Sequence, residues 1–224
     1  MPGKEEAMKT IRVTGKGQIK VHPDMTRIMI TLKGRCREYS AALRRSAKDT
    51  ESLRELLGGL GFEHSDLKTL RFDVDMKYEY ADERRYKRVF DGYEYEHEMK
   101  VEFASDNKLL GRVLYALANS PVSPELQIGY FVKDPETAKD TMLANAVADA
   151  REKAAVLSRS AGVTLKDIQA IDYSWGEVRF ESRLMECASG KGLGSPPPTG
   201  CYDMDIEPDD IESSDNVTVV WEIA

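Results

Sequence analysis

Two facing alternations and one long helical stripe organise the chain. Leu70, Phe72, Val74, Met76, Tyr78 and Tyr80 alternate with Arg71, Asp73, Asp75, Lys77 and Glu79. A polar tip over about residues 81–91 follows. The return strand then sets Tyr93, Tyr95, His97, Met99, Val101 and Phe103 against Glu94, Glu96, Glu98, Lys100 and Glu102. A period of two marks strands with one buried face, so this pattern predicts a long antiparallel hairpin. The stripe is Ala138, Met142, Ala146, Ala150, Ala154, Leu157 and Ala161, spaced as one face of a helix. Asp134 suits its N-terminal cap, Pro135 its first position and Gly162 its stop. Small side chains let a helix sit close on a sheet. The expectation is therefore that both hairpin faces pack under this helix as one core.

Shorter patterns fill in the rest. Residues 10–20 read as a first strand with Gly15 and Gly17 in it. A second, over about residues 25–37, sets Ile28, Ile30, Leu32 and Cys36 against Arg27, Thr31, Lys33, Arg35 and Arg37. A helix opening at Ser40 carries Leu43, Ala47, Leu53, Leu56, Leu57 and Leu60 and stops at Gly58, Gly59 and Gly61. Asp106 caps a second helix with Leu109, Leu110, Val113, Leu114 and Leu117. Strands follow at residues 125–132, at about 168–180 and at 217–223, where Val217, Val219, Trp221 and Ile223 alternate with polar neighbours. Hairpins interrupted by single helices predict an α+β fold, an antiparallel sheet with helices packed on one face. Residues 1–9 read as a disordered tail and 10–224 as a single domain, divisible into subdomains at about 10–104 and 105–224. The Gly/Pro-rich run at 186–200 reads as a mobile loop.

Composition narrows the function classes. With 224 residues, 41% hydrophobic and 32% charged, the chain is that of an ordinary folded protein. A net charge of -7 disfavours a general nucleic-acid binder. No apolar run reaches the ~20 residues that span a bilayer. The start MPGKEEAMKT shows no apolar signal segment, so a cytoplasmic protein is expected; a leader removed before this point would leave the same start. Three cysteines, Cys36, Cys187 and Cys201, form neither a disulfide framework nor a zinc knuckle, although the last two flank the same loop and can pair under oxidation.

Catalytic signals are thin. Of three histidines, His22 precedes a proline, His64 follows a helix end and His97 sits on an apolar strand face, all readable as structural. Gly15-Lys16-Gly17 leads into a strand, and Gly190-Lys191-Gly192-Leu193-Gly194 leads into prolines; neither opens a phosphate-holding helix. Asp73, Asp75, Glu79, Glu94, Glu96 and Glu98 project in parallel, so they predict a charged face opposite Arg27, Lys33, Arg35 and Arg37, not a cation cage. No enzyme, cofactor or metal site is expected.

One surface remains. Tyr78, Tyr80, Arg84, Arg85, Tyr86, Arg88, Tyr93 and Tyr95 gather around the hairpin tip, with Lys87 among them. Basic residues among aromatics can grip single-stranded nucleic acid, or anchor a subunit interface. The acidic total favours the interface, hence a homo-oligomer and a possible second protein partner.

The order of motifs is also familiar. IRVTGKGQIKVHPD at residues 11–24 resembles the Gly-x-Gly…Pro-Asp opening of the SIMPL-domain family, a domain of unknown function. Asp66-Leu67-Lys68-Thr69, Gly92-Tyr93, Asp134-Pro135, Lys153-Ala154 with Ala161-Gly162-Val163, and the end from Ile206-Glu207-Pro208 to Trp221 fit the same pattern. Asp209-Asp210 departs from it, standing where members often carry glycine. The resemblance implies self-assembly, as in bacterial members that form ring-like oligomers, a stress-associated role, or adaptor work as in an animal member. It implies no catalytic residue. The readings kept open beside it are nucleic-acid binding and an unrecognised hydrolase.

Overall fold

The computed structural model describes residues 9–80, 88–174, 178–187 and 206–224, without the side chains of Tyr80 and Cys187. Its elements are β1 (Thr10–Val21), β2 (Met25–Cys36), α1 (Tyr39–Gly58), β3 (Lys68–Tyr80), β4 (Arg88–Ala104) and α2 (Asn107–Ala118). They continue with β5 (Glu125–Phe131), α3 (Glu136–Ala161), β6 (Leu165–Asp172), β7 (Met185–Cys187) and β8 (Ile211–Ile223). The fold is α+β, with two antiparallel sheets in the orders β1-β8-β6 and β3-β4-β2-β5-β7. The chain forms two units, cut at 23/24, 131/132, 181/182 and 208/209 and not near 104/105. Pairing of β1 with β8, the two ends of the sequence, is what interleaves them.

The first unit holds β1, α3, β6 and β8. Ala146, Ala150 and Ala154 of α3 lie against Val13, Val217, Val219 and Trp221, and Ala138 and Met142 lie against Phe180 and Ile211. The long helix therefore covers the terminal strands and not the hairpin faces, correcting the single-core expectation. Gly15 and Gly17 explain how it fits. A Cβ on Gly15 would stand 2.0 Å from the Ala146 carbonyl oxygen, and one on Gly17 would stand 1.9 Å from that of Met142. No side chain fits there. The buried stripe runs at every fourth residue and ends on Ser158, leaving Leu157 exposed. Gly162 stops the helix in the left-handed region at φ 71°, and Asp134 Oδ1 accepts the Glu136 N–H at 3.3 Å.

α3 also bonds the middle of the free edge of β1. Asp149 Oδ2 accepts the Lys16 backbone N–H at 2.7 Å, and Asn145 Nδ2 donates to the Gln18 carbonyl at 3.2 Å. Both groups would otherwise point outward from an edge strand. Pairing with β1 along its whole length draws β8 out to Ile211, beyond the apolar alternation that marks residues 217–223. β6 ends at Asp172, short of the expected residue 180, and β7 pairs with β5 where the loop reading had begun. The rest of the run 188–200 lies outside the described residues.

The second unit holds the five-stranded sheet with α1 and α2. Ile28, Ile30 and Leu32 of β2 pack with Tyr95, Met99, Val101 and Phe103 of β4, with Leu126 and Ile128 of β5, and with Leu53, Leu57, Leu110, Val113 and Leu117 from the helices. The faces of β2 and of the return strand are as their alternation predicts. The α1 stripe is offset: Ala42, Ser46, Thr50, Leu53 and Leu57 face inward, and Leu43 is exposed. β3 differs most. It ends the sheet order beside β4, and of its alternate apolar residues only Val74 packs against the core: Phe72 is 41% exposed, Met76 57% and Tyr78 43%. Among the described residues no helix is long and apolar enough to cross a membrane.

Candidate functional site

The hairpin surface is built by a strand longer than sequence suggests. β4 starts at Arg88, and the ladder with β3 runs to Tyr80 opposite Arg88, with a bulge at Asp91 between Lys77–Gly92 and Tyr78–Phe90. Gly92 permits the bulge: its φ is 127°, and a Cβ there would lie 2.5 Å from the Cys36 carbonyl oxygen. Val89 and Phe90, which lie in what sequence reads as a polar tip, are consequently strand residues with exposed side chains.

Aromatic rings follow one another along this surface. Tyr78 meets Phe90 edge-on at 5.9 Å, Phe90 meets Tyr93 at 5.3 Å, and Tyr93 meets Tyr39 at 5.6 Å. The Arg88 guanidinium lies 5.2 Å from the centre of the Tyr78 ring. Of the residues singled out from sequence, Tyr78, Arg88 and Tyr93 are brought together. Tyr95 is not: it is 1% exposed, its ring fills the space that a Gly34 side chain would need, and its hydroxyl donates to Asp49 Oδ2 at 2.5 Å. Burial and that carboxylate push its phenol well above the ordinary value. Tyr95 is a core residue. Arg84, Arg85 and Tyr86, with the side chain of Tyr80, lie outside the described residues. Missing from the sequence reading were Tyr39, Val89 and Phe90, together with the exposure of Leu70, Phe72 and Met76.

The opposite face of the same sheet is ionic. Arg27 Nε bonds Glu102 at 2.6 Å, Lys33 reaches Glu96 at 3.3 Å and Glu125 at 2.8 Å, and Lys77 reaches Glu94 at 3.0 Å. Arg35 spans Asp91, Glu94 and Glu79. Lys77, with Arg35, holds the Glu94 carboxyl below the ordinary range against partial burial. Burial alone would raise Glu102, but Lys100 and Arg27 outweigh it and leave it lowered. Glu79, Asp91, Glu94, Glu96, Glu102 and Glu125 are thus paired across strands, and among the described residues no three His, Cys, Asp or Glu side chains are grouped to hold a metal ion.

His97 is the best-placed titratable group in the core. Thr50 Oγ1 donates to the Ser46 carbonyl at 2.8 Å, so its contact with His97 Nδ1 at 3.1 Å assigns the ring proton to Nδ1. Nε2 then accepts from the Thr69 hydroxyl at 2.9 Å. Burial, and secondarily the positive charge of Arg54, lower its pKa and favour the neutral ring. Both nitrogens are used, and the ring ties α1 to β3 and β4. Gly15-Lys16-Gly17 is a packing device, and Cys36 is a half-buried free thiol.

The family model described as SIMPL, Protein of unknown function (DUF541), matches residues 11–221. No curated protein matches the chain.

Proposed function

The chain belongs to the SIMPL family, and from that premise we propose that it is a non-catalytic, self-assembling protein whose contact surface is the uncovered aromatic side of the β3–β4 hairpin. The observation that carries this reading is the row of exposed apolar side chains, Phe72, Met76, Tyr78 and Phe90, on the side of the sheet that elsewhere lies beneath α1 and α2. Isolated exposed apolar residues are ordinary, but several exposed apolar side chains along one side of a sheet-edge hairpin are the kind of surface that partners cover. The absence of catalysis is part of the proposal. It is supported by the use of both His97 nitrogens inside the core and by the pairing of carboxylates across β2, β3 and β4. A stress-related or scaffolding role belongs to the same proposal and rests on the family resemblance.

Light scattering at rising protein concentration tests it. The expected result is a mass above that of one 25.2 kDa chain, with Phe72→Ser together with Tyr78→Ser lowering the mass while the circular dichroism stays unchanged. Persistence of the full oligomer in that variant would overturn the part assigned to the hairpin. The same titration in rising salt separates this reading from nucleic-acid binding. Apolar assembly holds, whereas a phosphate-gripping surface releases RNA or DNA steeply.

A further inference from the structure

β3 offers more than an apolar side. It is a 13-residue strand at the end of its sheet, and among the described residues no strand and no side chain bonds its outer backbone edge. Typical strands run about 5–6 residues, and proteins blunt exposed edges with charge turned inward, proline or a covering element. Among the described residues no proline and no covering element does so here, and the charged side chains of β3 lie on the side away from the helices. The alternate positions on the helix side are Phe72, Val74, Met76 and Tyr78, and no proline interrupts the strand. The contrast lies within this molecule: the free edge of β1 is bonded at Lys16 and Gln18 by Asp149 and Asn145 of α3, while among the described residues the edge of β3 is left open.

We propose that β3 pairs antiparallel with β3 of a second copy, joining two five-stranded sheets across a two-fold axis at Asp75. The occupant is read from the strand's own charge pattern. Pairing two identical antiparallel strands keeps apolar sides together only in alternate registers, since a one-residue slip turns each side chain to the other face. Of the registers that remain, the one setting Arg71 opposite Glu79 also sets Asp73 opposite Lys77, and two-fold symmetry makes each pair twice. On the other side it places Phe72 opposite Tyr78 and Val74 opposite Met76, an aromatic pair and an aliphatic pair. Shifting the axis to lie between Val74 and its neighbour Asp73 or Asp75 mismatches the faces. Centring it on Val74 opposes Arg71 to Lys77 and Asp73 to Asp75, like charges throughout. Centring it on Asp73 keeps one opposite-sign pair, Arg71 with Asp75. The strand is self-complementary in one register. Its single unfavourable contact is Asp75 facing its own copy.

Existing contacts permit the exchange. Arg71 bonds Asp73 within the strand, Lys77 bonds Glu94 at 3.0 Å and Glu79 bonds Arg35 at 3.4 Å; the four β3 side chains are each at least one-third exposed, so these pairs can be shared with a second copy. From Arg71 to Tyr80 β3 keeps a regular alternation: the bulge at its start falls at Leu70 and the later one lies in β4. The edge that would be paired is therefore free of bulges of its own over the length the register needs.

The inference rests on the self-assembly reading above, and its test separates the two. Arg71→Glu and Glu79→Arg are made in separate copies. Each homodimer then opposes like charges twice and should dissociate about tenfold more readily, while an equimolar mixture restores opposite charges and wild-type mass. Asp75→Cys, with Cys36, Cys187 and Cys201 replaced by serine, should oxidise to a covalent dimer faster than Asp73→Cys or Lys77→Cys. Directly opposed antiparallel residues stand within disulfide reach. A wild-type oligomer whose mass ignores the charge changes, or a mixture no better than its components, would overturn β3 pairing and leave self-assembly standing. A wild-type monomer would overturn both.

Discussion

Single residues carry two kinds of constraint here, steric and protonic. Gly15 is steric: the backbone of α3 occupies the space its side chain would take, so Gly15→Val must push the helix from the sheet. Overpacking of this kind costs about 1–3 kcal/mol, read as a fall in chemical-denaturation midpoint. A midpoint unchanged by the substitution would show that the contact yields. His97 is protonic. Its folded pKa lies below the unfolded value of about 6.5, so the unfolded chain binds the proton first as pH drops. Its contribution is complete above about pH 6.5 and is lost as pH falls from there through the folded pKa. Urea titrations over that window should show stability falling with acid, and a flatter slope in His97→Gln. Equal slopes would mean that the ring protonates inside the fold. Ser46 and Thr50, which the apolar stripe of α1 passes over, face inward because this ring needs partners. A polar residue recruited by a buried histidine leaves no hydrophobic signature in sequence, and the stripe is read one position off.

Elements show the limit of periodicity. β4 and β3 have equally clean alternations, yet β4 lies between two strands under the helices and β3 ends the sheet. Alternation says that a strand has two unlike sides; it does not say whether anything covers the apolar one. The Tyr93–Phe103 face was legible on this ground and the Leu70–Tyr80 face was not. Val101, with no exposed surface, tests the part that was: Val101→Asp places a charge in the core of the second unit and should destabilise it by several kcal/mol. An unaltered melting temperature would contradict the packing. The alanine stripe of α3 was likewise legible as a close-packing face, but its target was not. Small residues declare the distance of approach, and Gly15 and Gly17 are the complementary signal on β1.

At the scale of the molecule, the chain's two ends share one sheet while its middle builds another, and pairing across 190 to 212 residues has no local signature. The candidate surface was half legible. Tyr78, Arg88 and Tyr93 were visible as an aromatic and basic cluster, whereas Tyr95 turned inward because Gly34 opposite makes room for its ring. The role proposed for the surface rests on position: among the described residues β3 has an uncovered side and an open edge, whereas β1 is bonded at its edge by helix side chains. The most direct measurement is the solution mass of the full chain by sedimentation equilibrium from low to tens of micromolar. The account predicts a reversible rise from one chain to two or more, weakened by Arg71→Glu alone and by Glu79→Arg alone and recovered when the two variants are mixed. A mass of one chain across that range would contradict it.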